Sequence, residues 1–245
     1  MNVSYIELES CTSTSAALTA MSDAGHGTVV FTNCQTAGRG QRGNSWEAEP
    51  GKNLTFSLLI RPEIAAARQF ELSMIVALSV ARIIDSELAA AGCPERTKVK
   101  WPNDIYVGDN KICGILIENR LSGAFIERSI AGIGINVNQT LFRSDAPNPI
   151  SLSLITGRHY ELTPLLERVC AAIYSDCYHY HRTPDPEGLK ARYMASLYRG
   201  DGAEYMFCEP GGEPFAAAIT DIDITGMLTL SNGRTYAFKE VAYII

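Results

Sequence analysis

At Lys98 the apolar pattern switches from a helical to a two-residue period, and no other stretch constrains the fold of this chain as strongly as the strand-like run from there to Asn138. Lys98-Val99-Lys100-Trp101 alternates, Pro102-Asn103-Asp104 interrupts, and Ile105-Tyr106-Val107 resumes. Gly108-Asp109-Asn110 has the composition of a hairpin turn. Lys111–Glu118 and Phe125–Asn138 then read as two long, apolar strands. Gly132-Ile133-Gly134 lies inside the second of them, and no helix follows at the spacing of a dinucleotide fingerprint. Glycine inside a strand marks close approach of a neighbour or of a ligand. Both readings stand.

The flanks supply the rest of a mixed α+β domain. Val3–Leu8, Thr28–Thr32 and Asn53–Ile60 are strand-like, and Ser13 or Thr14 can cap a helix running to about Asp23. The longest helical pattern runs from Arg68 to Ala91, with Leu72, Ile75, Leu78, Ile83 and Leu88 on one face and Gly92 and Pro94 beyond its end. A Pro- and Ser-containing loop covers 139–151, and helical patterns follow over Thr163–Tyr180 and Pro186–Leu197. From about Arg199 the character changes. Short runs at Glu204–Phe207, Pro214–Ile222, Met227–Leu230 and Tyr236–Phe238 alternate with turns such as Gly211-Gly212 and Asn232-Gly233. That pattern predicts a small all-β barrel after the larger domain.

Composition narrows the class. Of 245 residues, 46% are hydrophobic and 20% charged, ordinary for a globular chain. No apolar run approaches the roughly 18 residues of a membrane span. The N-terminus lacks a charged-then-apolar leader pattern, so no membrane and a cytoplasmic location are expected. The seven cysteines are scattered and contain no C-x-x-C pair, so each reads as a small hydrophobe rather than a metal ligand or disulfide half. A net charge of −6 argues against a broad surface for nucleic acid.

One segment runs against that acidity. Thr36-Ala37-Gly38-Arg39-Gly40-Gln41-Arg42-Gly43-Asn44-Ser45-Trp46 holds three glycines, two arginines, no acid and a terminal tryptophan. It reads either as a solvated loop or as an anion cradle. In a cradle, backbone N–H groups approach phosphate, the arginines donate forked hydrogen bonds, and Trp46 offers a flat face to a fused ring. Lys111 enters an otherwise apolar strand. It either reaches solvent or points inward, where a carboxylate or phosphate must meet it. Asp104, across the hairpin, is a candidate, and the pair suits acyl phosphate chemistry. His179 and His181 do not share a helical face, so a metal site there is disfavoured. There is no Walker A match, no G-x-S-x-G and no H-E-x-x-H.

Ser13-Thr14-Ser15, QTAGRGQRGNSW (35–46), KWPNDI (100–105), KICGILIE (111–118) and GIGINVN (132–138), in this order, resemble the catalytic domain of biotin–protein ligases. The resemblance implies a mixed, largely antiparallel sheet domain over 1–198 and an SH3-like β barrel over 199–245. It implies that biotin and MgATP form biotinyl-5′-AMP, whose acyl group passes to a lysine of a biotin carboxyl carrier protein. On that resemblance Ser13, Thr14, Ser15 and Gln35 would bind the ureido end of biotin. Arg39, Gly40, Gln41, Gly114 and Gly132 would line the acyl region. Arg42, Trp46, Asn103, Gly134 and Asn136 would serve the nucleotide. Lys111 would bind the attacking carboxylate, and Asp104 would help with Mg2+ or with the incoming lysine. The family often has Asn at position 15 and Arg at positions 41 and 44; Gln41 implies a leakier adenylate. The short stretch before Ser13 leaves no room for a DNA-binding domain, so no DNA binding is expected. The family includes monomers and dimers, so a homodimer is open. A lipoate or octanoate ligase, a non-catalytic binding module and a plain scaffold are the rival readings.

Overall fold

A computed structural model describes residues 3–40, 45–144 and 146–245. Seven strands build the main sheet: β1 (Ser4–Leu8), β2 (Thr28–Thr32), β3 (Leu54–Ile60), β4 (Thr97–Lys100), β5 (Asp104–Val107), β6 (Asn110–Ser122) and β7 (Phe125–Ile135). Their order across the sheet is β1-β2-β3-β7-β6-β5-β4. β1 and β2 are parallel and every other pairing is antiparallel. Asp104 opens β5 rather than lying outside it as the Pro-Asn-Asp turn suggests. It pairs with Gly114, and Gly108-Asp109 makes the tight turn, with Gly108 at φ 57°.

The two-residue period sorts this sheet into unlike faces. Leu54, Phe56, Leu58 and Ile60 of β3, Ala131, Ile133 and Ile135 of β7, and Ile115 of β6 enter one core. That core is shared with α2 (Phe70–Ala90) and α4 (Leu162–Arg182). α2 is buried nearly all round, including Val76, Ala77 and Val80, because it packs on both the sheet and its neighbouring helices. The single apolar stripe expected for it therefore understates its burial. The opposite face is only partly covered. There Leu18 of α1 (Thr14–Ala20) packs on Val30, Leu59 and Ile130. Beyond α1 that face carries Thr55, Ser57, Gly114, Gly132 and Gly134, so it is low and polar.

α3 (Leu152–Thr156) closes the 139–151 loop, and α5 (Pro186–Ala195) starts with Asp185 accepting from the Gly188 N–H at 2.9 Å. The C-terminal region forms two three-stranded antiparallel sheets, an SH3-like arrangement. One is β10 (Ile219–Ile222), β11 (Leu228–Leu230) and β12 (Thr235–Tyr236); the other is β13 (Ala242–Tyr243), β8 (Tyr205–Cys208) and β9 (Phe215–Ala217). The run expected as one strand, Pro214–Ile222, is broken at Ala218, where the chain leaves one sheet for the other. β13 has no sequence signal beyond two residues and is defined by pairing with β8.

Candidate active site

A cavity of about 900 Å³ lies on the hollow face of the sheet. Its floor is β3, β7 and β6. Among the described residues its walls are the first turn of α1, Gln35, Arg39, Gly40, Ser45 and Trp46, then Ser144, Ala146 and Pro147, and Phe238 of the C-terminal region. One end is polar. The Thr14 N–H donates to Gln35 Oε1 at 2.9 Å, while the Thr14 and Ser15 hydroxyls each lie 2.8 Å from Ser57 Oγ. Ser57 is fully buried, so its hydroxyl is committed to this cluster. Ser13 caps α1, accepting from the Ala16 N–H at 3.4 Å, and still faces the cavity. This end can offer several oriented donors and acceptors to a small polar ring.

The other end is ionic. Lys111 Nζ and Asp104 Oδ2 are 2.8 Å apart, with about a quarter to a third of each side chain exposed to the cavity. Lys111 therefore points inward and has its carboxylate partner. A bulge in the β5–β6 pairing between Ile105 and Tyr106 brings Lys111 within reach of Asp104. The backbone of Lys111 is held on its free side as well. Its N–H donates to Asn148 O at 2.7 Å, and its carbonyl accepts from the Ile150 N–H at 2.9 Å. Asn103 donates its side-chain amide to Ile115 O. Next door, burial lowers the Lys100 ammonium below its usual value; Nζ lies 4.8 Å from the Tyr243 ring centre and 5.3 Å from that of Tyr106.

Trp46 spans the two ends. The Trp46 N–H donates to Gly38 O at 3.0 Å, its ring centre is 5.7 Å from Lys111 Nζ, and its Nε1 is buried without a protein partner among the described residues. The strand glycines are what let it lie there. A Cβ on Gly134 would sit 2.3 Å from Trp46 Cε2, and one on Gly114 would sit 3.1 Å from Cζ3. A Cβ on Gly132 would sit 2.5 Å from Ser15 Oγ. These glycines mark close approach by side chains, on the wall of a cavity able to take a ligand.

Of the residues singled out from sequence, Ser13, Thr14, Ser15, Gln35, Arg39, Gly40, Trp46, Asn103, Asp104, Lys111, Gly114, Gly132 and Gly134 all line this one cavity. Gln41, Arg42 and Asn44 lie outside the described residues. Asn136 does not line the cavity: its amide donates to Ile150 O at 3.0 Å, and it ties β7 to the loop below. Sequence reading missed Ser57, Thr55, Glu118 and Phe238. Ser57 carried a signal, a serine within the apolar run Leu54–Ile60. Phe238 carried none. No group of three or more His, Cys, Asp or Glu side chains placed to hold a metal occurs among the described residues. All seven cysteines are unpaired, and no helix among the described residues is long and apolar enough to cross a membrane.

The site is thus a mixed sheet hollowed by glycines, with a lysine–carboxylate pair at one end of the hollow and a hydroxyl–amide cluster at the other. Residues 7–136 match the biotin/lipoate A/B protein ligase family, and the chain belongs to that family. It is 31% identical over 232 residues to a biotin–[acetyl-CoA-carboxylase] ligase of Mycobacterium tuberculosis, covering 91% of this chain and 82% of that protein. It is 34% identical over 170 residues to the bifunctional ligase/repressor BirA of Bacillus spizizenii, covering 67% of this chain but 50% of the relative, so the match spans half of that longer protein. The fold superposes on a biotin protein ligase from Aquifex aeolicus in complex with biotin and ATP. The TM-score is 0.78 at 24% identity, over 98% of this chain and 97% of that one.

Proposed function

We propose that this chain is an ATP-dependent biotin–protein ligase that biotinylates a lysine of a biotin carboxyl carrier protein through biotinyl-5′-AMP. The observation that carries the reading is the Lys111–Asp104 pair facing Trp46 in the same cavity as the Thr14–Gln35–Ser57 cluster. The hydroxyl–amide end suits the ureido ring, which presents both N–H and C=O groups. The carboxylate of biotin then reaches Lys111. One of its oxygens attacks the α-phosphorus of ATP, the new P–O bond forms, and pyrophosphate leaves. Lys111 and Arg39 stabilise the charge that gathers on the reacting oxygens. In the second step the ε-amine of the carrier lysine attacks the acyl carbon. AMP leaves, and the amine proton passes to Asp104 or to water. Trp46 stands beside the adenine and shields the mixed anhydride.

Asp104 offers a single carboxylate already shared with Lys111, which fits an Mg2+ ion carried in on the triphosphate and held mostly by phosphate and water. Such an ion would offset phosphate charge. We read residues 1–198 as the catalytic domain and 199–245 as a second domain that closes the cavity with Phe238. Homodimerisation through a sheet edge would fall to β1, because the β4 edge is covered by the backbone of Ser196 and Tyr198.

Biotin-dependent ATP–pyrophosphate exchange tests the reading, with lipoate and octanoate run in parallel. Exchange with biotin alone is expected. Exchange with lipoate instead would keep the fold and replace the substrate, and binding of biotin without exchange would leave a non-catalytic binder.

A further inference from the structure

Glu47 follows Trp46 directly, which puts an acid beside a cavity suited to phosphate. Free, it would repel the nucleotide. It is not free. Its Oε1 accepts from the Arg143 N–H at 2.9 Å and from Gln139 Nε2 at 3.2 Å, and its Oε2 accepts from the Ser144 N–H at 2.8 Å. The grip continues along the chain. Gln139, almost wholly buried, accepts at Oε1 from the Glu49 N–H at 3.0 Å and from Asn53 Nδ2. Asn53 Oδ1 accepts from the Val137 N–H at 3.0 Å, and Lys52 O from the Asn138 N–H at 2.7 Å. The loop gripped at Arg143–Ser144 contributes Ser144, Ala146 and Pro147 to the cavity wall, and at Asn148–Ile150 it pairs with the backbone of Lys111.

We propose that Glu47 is a positioning residue whose carboxylate locks the Trp46 wall of the cavity to the 139–150 loop, so that Trp46 and Lys111 are held in register as one unit. The unit has two contacts with the reacting region, the indole face and the ammonium, and Glu47 touches neither substrate. Its loss frees the loop at one end and the tryptophan at the other. The nucleotide subsite, built between them, loosens. The Thr14–Gln35–Ser57 end is built on α1 and β3 and does not depend on the clasp.

The proposal rests on the ligase reading for its kinetic consequence but not for its structural one, and two measurements keep these apart. In Glu47→Ala, amide hydrogen exchange of the free protein is expected to lose protection at Arg143, Ser144, Ile150 and Lys111, with protection of α2 unchanged. Unchanged protection at those sites overturns the clasp whatever the protein catalyses. In biotin-dependent pyrophosphate exchange, Glu47→Ala and Gln139→Ala are expected to raise the KM for ATP about tenfold, the effect of losing charge-assisted hydrogen bonds, while the KM for biotin moves by less than about twofold. Glu47→Asp, one methylene short, is expected to recover part of the ATP effect. Equal loss for both substrates, or none for ATP, overturns the positioning role. Absence of exchange in the unaltered protein would sink the ligase reading while the hydrogen-exchange comparison still decides the clasp.

Discussion

Lys111 and Asp104 balance each other at the edge of the cavity, each with part of its side chain open to solvent. Such a pair adds little to stability, on the order of 0–1 kcal/mol. Its value lies in a positioned ammonium. Lys111→Met is therefore expected to lower biotin-dependent pyrophosphate exchange by roughly 100-fold or more. The thermal midpoint should hardly move; a large drop would recast Lys111 as structural. The glycines make a sharper residue-scale case. Gly134→Ala places a methyl inside the Trp46 ring, and Gly132→Ala places one against Ser15. Overpacking of about 1–3 kcal/mol is expected at each site. It should appear as weakened nucleotide binding for Gly134→Ala and weakened biotin binding for Gly132→Ala. Calorimetric titration of both ligands against both variants separates the two, and identical profiles would show that the ends of the cavity are not distinct.

Single elements carry the pH response. Burial by itself would raise the Glu47 carboxyl, but hydrogen bonds from Ser144, Arg143 and Gln139 outweigh it and hold the group below its ordinary 4.5. Burial would likewise raise Asp223, while bonds from Thr225, Met227 and Gly226 in the β10–β11 turn hold it below 3.8. A carboxyl depressed in the fold contributes stability that is complete above its unfolded value and is lost as pH falls through the folded value. Glu47→Gln should therefore be less stable than the unaltered chain at pH 6, with the gap closing as pH falls below the ordinary 4.5 and through the lower value of the folded state. Urea midpoints of both proteins across that range give the answer, and a gap independent of pH would mean that the charge of Glu47 contributes nothing. Burial pushes the cysteine thiols in the same direction, and there it prevails. Cys170 and Cys177 are pushed up to about 12, so both stay protonated and inert beside α2.

At the scale of the molecule, the C-terminal sheets are bolted to the turn that carries Asn103 and Asp104. Trp101 Nε1 donates to Gly226 O at 2.9 Å, and the Trp101 and Phe238 rings meet edge-on with centroids 6.0 Å apart. Gly226, at φ 90°, lies so close to Phe70 of α2 that a Cβ there would sit 2.6 Å from its ring. Lys190 of α5 adds a 2.7 Å ion pair to Asp221. Trp101→Phe removes the indole donor from the Gly226 carbonyl at a partly buried contact, at an expected cost of about 1 kcal/mol. Loosened protection of 219–238, with exchange activity falling in step, would tie the module to catalysis. Loosened protection with full activity would assign it another task.

The sequence alone determined what depends on local period and local chemistry. Alternation from Lys98 and the apolar runs Lys111–Glu118 and Phe125–Asn138 specified paired strands, Gly108-Asp109-Asn110 their turn, and Gly92 the end of the long helix. The cationic glycine segment and a lysine entering an apolar strand marked the chemistry, because a charge in such a run needs a partner. Tertiary structure decided what depends on distance. The bulge after Ile105 determines that Lys111 meets Asp104. Which residues stand on the hollow face is settled by pairing across the sheet, and Ser57 joins Thr14 and Ser15 only there. Phe238 enters the cavity from more than a hundred residues beyond Lys111. Asn136 is drawn away from it by a loop carbonyl. Side-chain period is a property of neighbours along the chain, whereas a cavity is formed by residues that only folding makes neighbours.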